Sequence, residues 1–588
     1  MPIRSLPADP SLEHLRKDAK RLHKAALAGD AAALAQVAEF HPRAADAVRG
    51  FLLSDAQLVT ARTYGFSTWA ALKHHLAAIE PFVWNEPPAP GGDAPLADIF
   101  VSLACLTYGK AWHRSNPSKA ARLLEDHPDL TRASVYAAAA AGDIAVVRAM
   151  IEREPTLVHA KGGLLRWEPL LYACYSRVEP TDATHSTLEV ARLLLEGGAD
   201  PNAGFLFDGV YVFTALTGAF GRGEDNMNEL PHPRWEPLAR LLLDAGADPN
   251  DSQTLYNRHF EENDDHLTLL YAYGLGADTR GPWLARMSDP GGGPRTWLVQ
   301  ELCWAAIHGF PNRVRLLVEH GVDVNTRSPR SGRTPYEEAL REGHHEIANY
   351  LLARGARKTE LDSIETFALA CIAGRRDEAH ARLRDDPALF EKLGEYGRAD
   401  LLHRAVASRQ HDGVRLIVEL GADVNAIIAG TGLDRAPLHH AAGTGIDMVR
   451  LLIELGADPN QRDPTFHAKP LGWALYAEQN DIVEFLLQFG SIFDAVQAGA
   501  VERVDAALRR DSSFAAAVDE DGDPLVAYVF PEMRRRDEMV RMLAARGVDL
   551  NARFHTGTTL LDRALARAAV DFADLLRALG ARTSAELA

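Results

Sequence analysis

Cysteine is scarce. The 588 residues contain four, Cys105, Cys174, Cys303 and Cys371, far apart and without a CxxC or Cys/His pairing. That pattern excludes a disulfide framework and a sulfur-based zinc site. Each lies in an apolar helical context that suits a small buried residue. Positive charge is also short: 63 Lys and Arg face 81 Asp and Glu, a formal net charge of −18. Affinity for a phosphate backbone rests on basic patches, so this balance argues against nucleic-acid binding by the chain as a whole. The most apolar run near the front, Ile99–Leu106, falls far short of the ~20 residues of a spanning helix. The stretch MPIRSLPADPSLEHLRKDAK has no apolar core of a secretory signal. These absences together predict a soluble cytoplasmic protein.

Catalytic motifs are missing too. The chain has no GxSxG, HExxH, GxxxxGK[ST] or kinase signature set. GGGP at Gly291–Pro294 lacks a following Lys and opens no obvious helix, which argues against a phosphate cradle. No catalytic residue, cofactor or metal site is expected, so a binding role is favoured over an enzymatic one. Aromatic content is low, at 7%, while Ala and Leu abound, as stacked small helices require.

What the chain has in quantity is one repeating unit. Its clearest copy is Ala436–Asn460, APLHHAAGTGIDMVRLLIELGADPN. Pro437 suits a first helical turn, where a missing N–H costs nothing. Leu438, Ala441 and Ala442 share one face, and Gly443 and Gly445 allow a reversal. Met448, Val449, Leu451, Leu452 and Leu455 form a second stripe at helical spacing. Gly456 sits where a helix ends in the left-handed conformation, and Asp458, Pro459 and Asn460 are turn residues. The LLxxGADxN ending returns at Ala191–Asn202, Ala239–Asn250, Val314–Asn325, Val414–Asn425 and Val540–Asn551. Weaker copies end at Gly276, Gly355, Gly490 and Gly580. Gly321 to Gly355 spans 34 residues, Gly421 to Gly456 35, Gly456 to Gly490 34 and Gly547 to Gly580 33.

The PLHHAA at Pro437–Ala442, the RTPYEEA at Arg333–Ala339 and the repeated GADxN endings resemble the ankyrin repeat. The resemblance covers Trp167 to the C-terminus. It implies an all-α solenoid, in which each helix pair buries its apolar face on its neighbours. Such an array escapes the size limit of a single core. Copies whose second helix ends at Pro or Asp, as in Ala137–Pro155, Ala368–Pro387 and Ala495–Asp511, raise the expected number to about 13–15 helix pairs. The residues expected to serve the repeat itself are Pro437, His439, Gly456, Asp458, Gly421, Asp423, Gly246 and Asp248. The resemblance further implies that His439 bonds backbone of the neighbouring unit. It implies a protein-binding or scaffolding role, with contacts from loop tips and first helices on a concave face.

Domain boundaries follow from shifts in pattern. Residues 1–80 form a helical module, and Leu6–Ala78 looks similar to one found ahead of ankyrin arrays in bacterial proteins. It reads as a polar-sided cap on the first repeat. A helix-turn-helix contacting DNA through Leu58–His75 is the alternative, since Ala61 and Gly65 have that spacing, although Thr60 and His74 stand where apolar residues belong. Residues 81–95 are a Pro/Gly linker, 96–279 are repeats carrying insertions, 280–297 are a Gly/Pro insertion, and 298–588 are the regular array with its C-terminal cap.

The densest polar constellation falls in the atypical repeats. Glu224, Asn226 and His232 lie in the Phe220–Pro237 insertion, followed by Tyr256, Asn257, Asp265 and His266, with Trp235 as an aromatic anchor. Carboxylates and histidines this close could hold a cation or exchange protons. Solvated loops and helix capping by Asp264 and Asp265 account for them as well. These eight residues are the candidate partner-binding set, and an enzyme or small-ligand site within 220–297 is the alternative.

Overall fold

The computed structural model describes residues 6–7, 11–42, 50–91, 94–109, 112–178, 184–225, 227–277, 281–287, 293–428, 430, 433–567 and 569–588. The chain is predominantly helical and divides into two units. Unit 1 holds residues 1–305 and 310–334, and unit 2 holds 306–309 and 335–588. No helix among the described residues is long and apolar enough to cross a membrane. All four cysteines are buried and free.

The GADxN ending does more than turn the chain. Each Asp accepts the backbone N–H of the Asn two residues on: Asp200 from Asn202 at 2.9 Å, Asp248 from Asn250 at 3.0 Å, Asp423 from Asn425 at 2.9 Å and Asp458 from Asn460 at 2.8 Å. The Asn amide thus held reaches the next copy. Asn425 donates to Gly456 O at 3.2 Å and accepts from Asp458 N at 2.8 Å. Asn202 does the same to Gly246 O (3.0 Å) and Asp248 N (2.8 Å), and Asn551 to Gly580 O (3.2 Å) and Arg582 N (2.7 Å). The glycine must be left-handed to present its carbonyl there. Gly246, Gly421 and Gly456 have φ of 100°, 102° and 97°, a region that costs a side chain energy.

Unit 2 is a run of helix pairs sharing one core from Phe367 to Ala581. The pairs include Gly394–Ala407 with His411–Glu419, Pro437–Ala441 with Ile446–Glu454, and Pro470–Tyr476 with Asn480–Leu486. Further along, a 3₁₀ turn, Leu525–Tyr528, replaces the first helix of a pair.

Among the described residues, unit 1 opens on the helices Leu12–Leu27, Ala31–Phe40, Leu53–Thr63 and Trp69–Ile79. Ser11, Asp30 and Thr68 cap three of them through their side-chain oxygens. Leu15, Ala61, Leu72, Leu76 and Ile79 share a core with Leu206 and Trp283, so the module packs on the repeats of its own unit. Thr60 is buried and returns its hydroxyl to Ala56 O at 2.8 Å. Arg62 donates to Phe40 O at 3.3 Å, while Lys73 and His74 are exposed.

A three-stranded sheet accompanies the helices. β1 (Val83–Trp84) pairs parallel with β2 (Gly204–Phe207), which pairs antiparallel with β3 (Tyr211–Thr214). Two residues of the stretch read as a linker are therefore a strand. The reason is Trp84. It is 5% exposed, its rings lie 5.4 Å from Trp167 and 4.9 Å from Phe205, and Nε1 donates to Leu165 O at 2.6 Å. The GGGP stretch also differs from expectation, because a helix spans Gly293–His308. Gly293 and Pro294 open it, and proline is well tolerated in a first turn.

Candidate functional site

The insertion after Phe220 is pinned from several sides. Gly221 ends the Ala215–Phe220 helix with φ 57°, and a Cβ there would meet Leu230 O at 2.6 Å. Beneath it lies Arg177, 4% exposed. Its guanidinium donates to four carbonyls: Leu230 at 2.6 Å, Gly218 at 2.8 Å, Ser176 at 3.1 Å and Cys174 at 3.2 Å. Burial lowers its pKa to about 10. Asn228 locks the loop to an earlier segment, with its carbonyl accepting from Trp112 Nε1 at 3.0 Å and its Oδ1 from Arg114 N at 3.1 Å.

The expected site residues fall into several environments. His232 is buried, accepts Arg234 N–H at Nδ1 (3.0 Å), and so carries its proton on Nε2, which donates to Thr187 Oγ1 at 2.9 Å. Burial, reinforced by Arg177, lowers its pKa to about 3. Glu224 is exposed and accepts from Tyr256 OH. Burial, reinforced by that carboxylate, pushes the phenol up. Asn257 is buried, accepts from Gln253 Nε2 at 2.8 Å and donates to Tyr108 OH at 3.2 Å. His266 is fully buried edge-on to Phe220, and burial beside Arg258 and Arg313 holds it well below the usual imidazole range. Trp235 packs on Phe220 at 5.6 Å, with Arg258 over its ring. Asp265 is exposed, and its N–H bonds Asn263 Oδ1. Asp264 makes no side-chain cap to its helix; its Oδ1 accepts from Arg313 Nε at 2.6 Å instead. Asn226 lies outside the described residues. Among the described residues, no group of three His, Cys, Asp or Glu side chains is placed to hold a metal ion.

Sequence reasoning missed Arg313 and Glu301. Arg313 is 0% exposed and donates to Asp264, to His259 O at 2.9 Å, to Asn263 O at 3.1 Å and to Glu261 O. A signal was present: aligned on the LLxxGADxN endings, Arg313 stands where other copies put Val190, Leu238, Met448 and Met539, all buried. Glu301 carried no such signal. Its Oε1 lies 3.1 Å from Nδ1 of His259, both side chains are buried, and His259 stacks on Trp304 at 4.0 Å.

Unit 2 presents a different surface. Asp463 grips the turn before the Pro470–Tyr476 helix, accepting from Thr465 N (3.0 Å), Phe466 N (2.6 Å), Ala468 N (3.2 Å) and Trp473 Nε1 (3.0 Å). Held this way, Phe466 is 69% exposed and lies edge-on to Trp473, with Tyr476 46% exposed beside it. The Arg435 guanidinium lies 4.6 Å over the Trp473 ring. Arg404, His440 and Trp473 occupy equivalent positions of three successive first helices. Burial, with Arg435 nearby, lowers His440 to about 4. His439, one residue earlier, places Nε2 3.1 Å from Gln461 O and 3.3 Å from Ala468 O.

The helix pairs, the Asn–Gly–Asp clasps and this first-helix face coincide with what a family comparison finds. Residues 300–362 and 402–497 match the model of ankyrin repeats, in three copies. This chain carries ankyrin repeats. The NF-kappa-B inhibitor cactus of Drosophila yakuba and that of Drosophila melanogaster are each 34% identical to it over 76 residues, covering 12% of this chain and 15% of theirs. The chain thus spans about 15% of the length of these curated relatives. Ankyrin repeats generally mediate protein–protein interaction.

Proposed function

We propose that the chain is a non-catalytic binding module that takes a protein partner on the first helices and turn loops of its ankyrin repeats. One observation carries the reading: the exposed Phe466 and Tyr476 beside the Arg435–Trp473 stack. Trp, Tyr and Arg supply most hot spots of protein interfaces. Here Trp473 and Tyr476 stand on the Pro470–Tyr476 helix and Asp463 holds the turn that carries Phe466, so little freedom is lost on binding. The cactus proteins, named as inhibitors of NF-kappa-B, support a binding role over a catalytic one. A second contact area in unit 1 would use the exposed Glu224 and Asp265 with Tyr256 and Trp235, propped from behind by His232, Asn257 and His266.

The test is capture from native lysate on the immobilised full chain, repeated with Phe466→Ala and Tyr476→Ala. The expected result is a stoichiometric protein partner that both variants lose while keeping their circular dichroism and unfolding midpoint. Capture of no stoichiometric protein, or of the same one undiminished by the variants, overturns the reading.

A further inference from the structure

Unit 1 contains a cavity of about 330 Å³ that the repeat plan does not account for. It opens where β3, the turn after Gly246 and the helix Pro282–Arg286 meet. Its volume is at the lower end of small-molecule sites, about 300–1,000 Å³. Most of its wall is apolar, with Tyr211, Trp283, Met287 and Trp297 among the lining side chains. The charged groups on the wall are two carboxylates, Asp248 and Asp251, and no Lys, Arg or His is among the described lining residues.

Among the described residues, neither carboxylate has an ion-pair partner. Asp251 is 6% exposed and accepts from Thr214 Oγ1 at 2.5 Å, Thr254 N at 2.8 Å and Thr217 Oγ1 at 3.1 Å. Asp248 spends Oδ1 on Asn250, backbone and side chain, at 3.0 and 3.1 Å. Hydrogen bonds stabilise a buried anion but leave its net charge in place. Burial raises the Asp251 pKa, and Asp248 raises it further. The neighbouring cation, Arg286, lies over the Trp283 and Phe82 rings at 4.9 and 4.8 Å and is not among the lining residues. Elsewhere in unit 1, the buried Glu301 has His259 and Asp264 has Arg313.

We propose that this cavity binds a small organic cation, an ammonium group carried on an apolar or aromatic body. The indole and phenol faces attract a cation through their quadrupoles, most strongly when it is desolvated. The two uncompensated carboxylates supply the field that selects positive charge. The apolar wall accepts the body of the ligand. This site is separate from the partner-binding surface of unit 2 and stands or falls without it.

Titration calorimetry and tryptophan fluorescence of the full chain test the proposal, with benzyltrimethylammonium, the neutral 3,3-dimethylbutanol and the anionic phenylacetate as probes. Benzyltrimethylammonium is expected to bind saturably, one per chain, and at least about tenfold more tightly than the other two. Asp248→Asn keeps an acceptor for Asn250 and should weaken the cation about tenfold while leaving the neutral probe unchanged. Leu284→Trp, which puts a ring into the cavity from a lining position on the Pro282–Arg286 helix, should abolish binding, with circular dichroism verifying the fold of each variant. Absence of saturable cation binding, equal affinity for the neutral probe, or cation binding unchanged in both variants overturns it.

Discussion

Asn425 makes two hydrogen bonds to the next repeat with one rigid side chain, donating to Gly456 O and accepting from Asp458 N. Asn425→Ala strands both backbone groups, and a lost hydrogen bond with an unsatisfied partner costs about 1–3 kcal/mol. Asn425→Asp keeps the acceptor and loses the donor, so it should fall between wild type and Ala in urea midpoint. An equal loss for Asp and Ala would show that only the donated bond counts. Arg313 makes a sharper case. Other copies place an apolar residue at its position, so Arg313→Met looks like a return to the repeat consensus. It should instead destabilise unit 1 by about 3–5 kcal/mol, because it leaves Asp264 and three carbonyls without their donor. Urea unfolding that shows Arg313→Met as stable as wild type would contradict this account of the buried guanidinium.

At the scale of elements, the hairpin β2–β3 shows how much a short stretch can announce. GFLFDGVYVFT sets short apolar runs on either side of Asp208–Gly209, and Asp-Gly between such runs is a strong hairpin signal. Both turn residues have positive φ, 49° and 68°. The 3.6-residue repeat on either side masks that signal, since a helical period is the pattern being sought there. β1 is different in kind. Two residues carry no period, and Val83 pairs with Leu206, far along the chain. Trp84→Ala should cost about 3–5 kcal/mol in unit 1, as large aromatic truncations in cores do. Trp84→Phe keeps the packing on Trp167 and loses the bond to Leu165 O, about 1 kcal/mol. Thermal unfolding of the two variants separates the contributions of ring and hydrogen bond.

At the scale of the molecule, the buried His232 and the half-buried Glu229 of unit 1 give stability opposite pH slopes. His232 is held at about 3, below its ordinary 6.5, by burial and Arg177. It stays neutral in the fold but takes a proton when unfolded. Its contribution is complete above about pH 6.5 and is lost as pH falls toward about 3. Glu229 is raised from 4.5 to about 7 by burial and Asp225. Its contribution is complete below about pH 4.5 and is lost as pH rises through 7. Glu229→Gln should therefore raise the melting temperature more at about pH 8 than at about pH 5, and His232→Asn should flatten the decline on the acid side. Parallel pH profiles for Glu229→Gln and wild type would contradict the carboxyl assignment.

The sequence by itself determined the helix pair, its period, its stacking on neighbours and the glycines that must be left-handed. All of these follow from local periodicity, and a repeat touches only its neighbours. It also marked Glu224, Tyr256 and His266 as a polar cluster, without revealing that His266 is buried while Glu224 faces solvent. Only the tertiary structure decided which polar groups meet: Arg177 with Leu230 O, Trp84 with Leu165 O, His259 with Glu301, and Asp251 with Thr214. The physical reason is separation along the chain. Contacts between residues tens of positions apart leave no period to read, and they are set by which surfaces the insertions bring together.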